Sequence, residues 1–181
     1  FKTGCLTVQL VRPITVSEAA MNALLPAVLL RGSARYPDLR SITLRLDDLY
    51  GTTVGAQVRK IGDYQTTGLF CGFIDDRYTA EGEDFFASVI DFLRELLLHP
   101  LTEDGGFCKE FVESEKKNLL SAIEAQRNDK RIYAAEQLMK YMGKADTVGI
   151  SRMGEPEKVA TITPQELYAH YERILKESRM E

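Results

Sequence analysis

The chain has 181 residues, 44% of them hydrophobic, enough to bury one substantial core and within the ordinary size of a single domain spanning residues 1–181. Its net charge of −4, with 23 basic residues interleaved among 27 acidic ones, leaves no basic footprint for a phosphate backbone and argues against a nucleic-acid partner. No apolar run reaches the about 18 residues that cross a bilayer, and three scattered cysteines, Cys5, Cys71 and Cys108, suit reduced thiols better than a disulfide framework, so a soluble, cytoplasmic protein with no membrane partner is expected.

Residues 5–12 are rich in β-branched and apolar types and run into Pro13, which predicts a strand. Thr15 followed three residues later by Glu18 has the form of a capping box, so a helix is predicted from there toward Arg31. Asp38 opens a second helix whose Leu39, Ile42, Leu46 and Leu49 recur on one face, with Gly51 placed as a C-terminal cap. Two extended runs, 52–61 and 64–74, flank Gly62-Asp63, a pair suited to a type II′ hairpin turn.

From Asp84 to Leu98 the apolar positions cover an arc too wide for a surface helix, which predicts a core helix packed on more than one side. Helices are also predicted over 107–127 and 130–142. The run Glu110, Glu113, Glu115, Lys116, Lys117 in the first of them reads as a solvated face of i to i+4 pairs, or less readily as a partner surface. Thr163-Pro164-Gln165-Glu166 opens a last helix with a capping threonine, a proline at the first helical position and a glutamate at the third. The fold class that follows is α+β, an antiparallel sheet with helices packed on one face.

Chemistry-bearing groups are sparse. The two histidines, His99 at a predicted helix C-terminus and His170 in the last helix, read as structural. A thiol enzyme using Cys108 with His99 lacks any surrounding motif, and Asp104-Gly105-Gly106 is a turn with no Lys-Ser/Thr after it, so it is no nucleotide cradle. No catalytic, cofactor-binding or metal-binding residue is assigned, and no cofactor is expected.

The segment Leu24-Leu25-Pro26-Ala27-Val28-Leu29-Leu30-Arg31-Gly32-Ser33-Ala34-Arg35-Tyr36-Pro37 resembles the helix and following loop that carry the inverted H-x-x-E-H zinc site of the insulinase/pitrilysin-type peptidases. Further segments match in order: Leu46-Asp47-Asp48-Leu49-Tyr50-Gly51, the helix ending His99-Pro100-Leu101, the run from Glu113 to Ile123, and Gly154-Glu155-Pro156-Glu157 through Thr163. The resemblance implies one domain of the LuxS/mitochondrial processing peptidase-like metallopeptidase fold. Counting from Gly32, it places the two histidine ligands on Ala23 and Ala27 and the catalytic glutamate on Pro26. The third ligand, seven residues after Glu115, falls on Ala122, although the two motif helices are further apart in sequence than in typical active members.

Three methyl groups cannot replace two imidazoles and a carboxylate as zinc donors, and a proline inside the helix is expected to remove a donor and kink it. The resemblance therefore points to the silent bacterial subgroup, encoded beside an active homologue and thought to pair with it. Two functions follow as expectations. One is a non-catalytic homologue that helps form a peptide-binding chamber with an active insulinase/pitrilysin-type subunit, holding peptide or unfolded polypeptide. The alternative is a silent domain, excised between an abrupt start at Phe1 and an abrupt stop at Glu181, of one longer zinc-dependent endopeptidase whose intact site lies elsewhere.

Overall fold

A computed structural model describes residues 2–80, 84–144 and 146–181. Its centre is an antiparallel sheet in the order β2-β3-β1-β6. Strand β1 (Thr3–Pro13) pairs along its length with β3 (Tyr64–Ile74), which pairs on its other side with β2 (Thr53–Ile61). The short β6 (Arg179–Met180) joins the far edge beside β1. Between β2 and β3, Gly62 alone takes a positive φ, +57°, as a type II′ turn requires of its first central residue. Because successive side chains point to opposite faces, the register gathers Leu10, Thr67 and Val58 on one face. Leu10, Leu69 and Cys71 are buried there, while Cys5 and Thr7 on the other face are exposed.

The helices cover the first of these faces. Helix α1 (Ala19–Leu29) lies against the sheet and packs with α4 (Lys109–Gln126), α6 (Pro156–Thr161) and α7 (Pro164–Glu177), enclosing Leu24, Leu25, Val28, Val112, Val159, Leu167 and Ile174. A second cluster forms where α2 (Leu39–Asp48) and α3 (Phe85–Leu98) meet Leu69 and Cys71. Helix α5 (Lys130–Met142) buries none of its residues.

Several expectations change. Helix α1 begins at Ala19 without a side-chain cap, because the Glu18 carboxylate is held by Arg12 at 2.8 Å and Arg173 at 2.8 Å and is not available to the helix N-terminus. Phe107 belongs to a two-stranded hairpin, β4 (Thr102–Glu103) and β5 (Gly106–Phe107), whose turn residues Asp104 and Gly105 both take positive φ. Helix α3 is buried on one side only: Phe86 and Ile90 are exposed at 40% and 42%. Leu39, placed on the apolar face of α2, is also exposed. The capping boxes at Asp38/Ser41 and Thr163/Glu166 are both present, the second as the sequence predicts.

Candidate functional site

Helix α1 carries the positions that the resemblance equates with a zinc site. Ala23 and Pro26 are buried and Ala27 is partly so. Pro26 has no N–H to give the carbonyl of Asn22 four residues before it, which an unbroken helix would supply. The Thr67 hydroxyl of β3 donates to that carbonyl instead, at 2.6 Å, with both residues buried. The lost donor is thus replaced from the sheet, and the helix continues through Pro26 to Leu29.

The same turn anchors a buried polar network. The Asn22 amide donates to Gln65 Oε1 at 2.9 Å, and Gln65 Nε2 donates to the carbonyls of Ala19 at 3.1 Å and Arg152 at 2.8 Å. His170 Nε2 lies 2.7 Å from Asn22 Oδ1, and Arg173 donates to His170 Nδ1 at 2.9 Å. A guanidinium can only donate, so Nδ1 is the acceptor and Nε2 bears the proton in the bond to Asn22. Burial pushes the His170 pKa down to about 4, against the raising influence of Glu18. His170 is therefore a neutral core histidine that joins α7 to α1.

Helix α4 runs antiparallel to α1. At one end Arg31 reaches Glu115 at 3.4 Å and stacks over Phe111; at the other, Gln126 Nε2 meets Met153 Sδ, beside Gly154, which abuts Ala20. Ala122, one turn before Gln126, is thereby set near the level of the first half of α1, but it is exposed. Glu115, which the resemblance equates with an acidic position of the family, is occupied as the partner of Arg31 and an acceptor from Asn118 at 3.1 Å. Among the described residues no group of three or more His, Cys, Asp or Glu side chains is arranged to hold a metal ion. The zinc of the family does not fit Ala23, Ala27 and Ala122, none of which offers a lone pair, and no chemical step is derived through it.

The remaining groups singled out from sequence fall in structural places. His99 caps the end of α3, its Nδ1 3.1 Å from the buried Glu95 carboxylate, which also accepts from the Ser33 hydroxyl at 3.0 Å and the Arg35 amide at 2.9 Å. That carboxylate pins the loop after α1 to α3. Cys108 is the residue before α4, and Asp104-Gly105 is the hairpin turn. The charge run on α4 is not a uniformly solvated face: Lys116 is buried and donates to the Ile162 carbonyl at 2.9 Å as well as to Glu113. Sequence reasoning missed Asn22, Gln65 and Thr67. Polar residues at alternate, inward positions of an otherwise apolar strand were the available signal for the last two.

No family model matches the chain. It is 30% identical over all of its 181 residues to the "Probable inactive metalloprotease YmfF" of Bacillus subtilis (strain 168), of which it spans 42%. A conserved protein from Enterococcus faecalis V583 superposes on 99% of the chain with a TM-score of 0.93 at 27% identity, again over 42% of that protein. The peptidase M16 inactive domain from Pseudomonas fluorescens covers 92% of the chain and 37% of its own, with a TM-score of 0.65 and 19% identity. Pitrilysin matches over 98% of the chain and 17% of its own length, with a TM-score of 0.59 and 16% identity. The chain thus spans about two fifths of the first two relatives.

Proposed function

Because this chain has the insulinase/pitrilysin-type fold and is related to a protein described as a probable inactive metalloprotease, we propose that it is a non-catalytic peptidase homologue domain. In this reading it forms part of a peptide-binding chamber together with an active metallopeptidase subunit, in the cytoplasm. The observation that carries the reading is α1 itself: the helix is intact and set against the sheet, yet Ala23, Pro26 and Ala27 supply neither a zinc ligand nor a general base. The domain then contributes binding and enclosure. Strand β2, at the edge of the sheet, offers main-chain groups to an extended peptide or unfolded polypeptide, a mode in which hydrogen bonds to the backbone supply affinity whatever the sequence.

A second reading, a silent domain of one longer zinc-dependent endopeptidase, draws on the relatives being more than twice the length of the matched region. Expression of the full parent chain separates the two. On the first reading it hydrolyses no peptide alone, with or without added zinc, and as bait recovers at equal stoichiometry a homologue bearing an intact H-x-x-E-H, with which it cleaves peptide in a chelator-sensitive way. Chelator-sensitive hydrolysis by the purified 181-residue domain alone would refute both readings.

A further inference from the structure

Strand alternation fixes which main-chain groups of β2 face away from β3. Ile61 and Tyr64 close the two-residue hairpin as a bonded pair, so the N–H and C=O groups of residues 54, 56, 58 and 60 point to the free edge. Arg152 confirms this orientation: its Nη1 donates to the Val58 carbonyl at 3.1 Å. The backbone that carries Arg152 is held from two sides. The Arg152 carbonyl accepts from the buried Gln65 side chain at 2.8 Å, and Lys60 Nζ donates to the carbonyls of Thr147, Val148 and Ile150 at 2.7, 2.9 and 2.9 Å, fixing the segment that leads into Arg152. Thr147 also donates to Asp63 in the hairpin turn.

Arg152 is exposed, and no carboxylate among the described residues lies within ion-pair distance of it. A charged fork set at the rim of a sheet, with one N–H on the edge carbonyl and others unassigned, lies where the next residue of an added strand would come. Guanidinium geometry matches a carboxylate in two-pronged fashion. We propose that the β2 edge takes an extended peptide across residues 54–56 and that Arg152 both ends this dock at Val58 and fixes its register by pairing with a carboxylate of the peptide. The inference rests on the edge-pairing reading above and adds to it a ligand class: an extended segment with an acidic side chain, or a free C-terminus, opposite Val58.

The test uses the 181-residue chain and three fluorescein-labelled peptides that share one extended Thr/Val sequence. One ends in Glu with an amidated C-terminus, one has a free C-terminal carboxylate and no acidic side chain, and one ends in Lys with an amidated C-terminus. Fluorescence anisotropy should show at least one acid-bearing peptide binding about tenfold more tightly than the Lys-ended one, the size of one charge-assisted hydrogen-bonded contact. Comparing the first two peptides tells whether side chain or terminus is read. In Arg152→Gln the preference should vanish while the weaker common affinity remains; a preference that survives this change overturns the proposal. Ala56→Pro examines the edge reading separately, since proline is tolerated on a strand edge whose N–H faces solvent but cannot donate to an added strand. With the fold verified by circular dichroism, loss of binding to all three peptides supports the edge reading. Undiminished binding overturns it, and absence of binding by the unmodified chain overturns both.

Discussion

Thr67→Val examines whether the sheet has taken over the hydrogen bond that Pro26 removes from α1. The substitution keeps the side-chain volume and the β-branching and deletes only the hydroxyl that donates to the Asn22 carbonyl at 2.6 Å. Both groups are buried, Thr67 at 1% and Asn22 at 0% exposure, so water cannot replace the donor and the carbonyl keeps its full desolvation penalty. An unsatisfied buried acceptor costs roughly 1–3 kcal/mol, so we expect a loss of about 2 kcal/mol, or about 4–8 °C in melting temperature for a domain of this size. Pro26→Ala returns an N–H to the carbonyl, and in that background Thr67→Val should cost under about 1 kcal/mol. Urea denaturation of the four proteins gives the coupling directly. Additivity within about 0.5 kcal/mol would refute the replacement argument, because it would mean the carbonyl does not depend on which of the two donors is present.

His170 gives a pH dependence. Its pKa is held down to about 4 in the folded state, against about 6.5 unfolded, so between these values the unfolded chain binds a proton that the native chain refuses. Stability should be complete above pH 6.5 and fall as pH drops toward 4, by about 3 kcal/mol from this group; denaturation midpoints in which His170→Gln leaves the slope over that window unchanged would contradict it. Gly154→Ala should lose more than about 2 kcal/mol, since φ is +74° and the new Cβ would stand 2.5 Å from Ala20 Cα, a strain that calorimetry reads as a lowered melting temperature. Thiol labelling at pH 8 should modify the exposed Cys5 readily and leave Cys71, whose pKa burial pushes up to about 11, unmodified until the chain unfolds; equal rates would refute the placement of Cys71 in the core.

What could be read from sequence was what neighbours in sequence decide. The β2–β3 hairpin follows from Gly62-Asp63, and α7 from the Thr163–Glu166 box, because the residues that satisfy each other lie two or three positions apart. The Thr15–Glu18 box failed for the opposite reason: Glu18 is claimed by Arg12 and Arg173, and no local pattern announces a partner 155 positions away. Helix α6, six residues long, and the two-residue strands β4 and β5 are too short to show a period. At the candidate site, the lack of a donor side chain at Ala23, Pro26 and Ala27, positions singled out by resemblance alone, was legible. What occupies their neighbourhood was not, because Asn22 meets Gln65 and His170 across 43 and 148 positions.

These two layers of the site bear on how far the domain stands from catalysis. Exchange of zinc ligands for alanine removes donors but would leave a helix able to regain them. Here the turn is also tied into the sheet. The position that the resemblance equates with the general base is a proline, the Asn22 carbonyl it orphans is bonded to Thr67, and the Asn22 side chain holds Gln65 and, through its other amide atom, His170. Glu115 is drawn to Arg31. Placing histidines at 23 and 27 and a glutamate at 26 would put imidazole bulk and a carboxylate into two buried positions and one partly buried one. On the reading proposed above, the silence of this helix lies in its packing as well as in its missing donors. Its polar bonds instead tie it to the sheet through Gln65 and Thr67 and to α7 through His170.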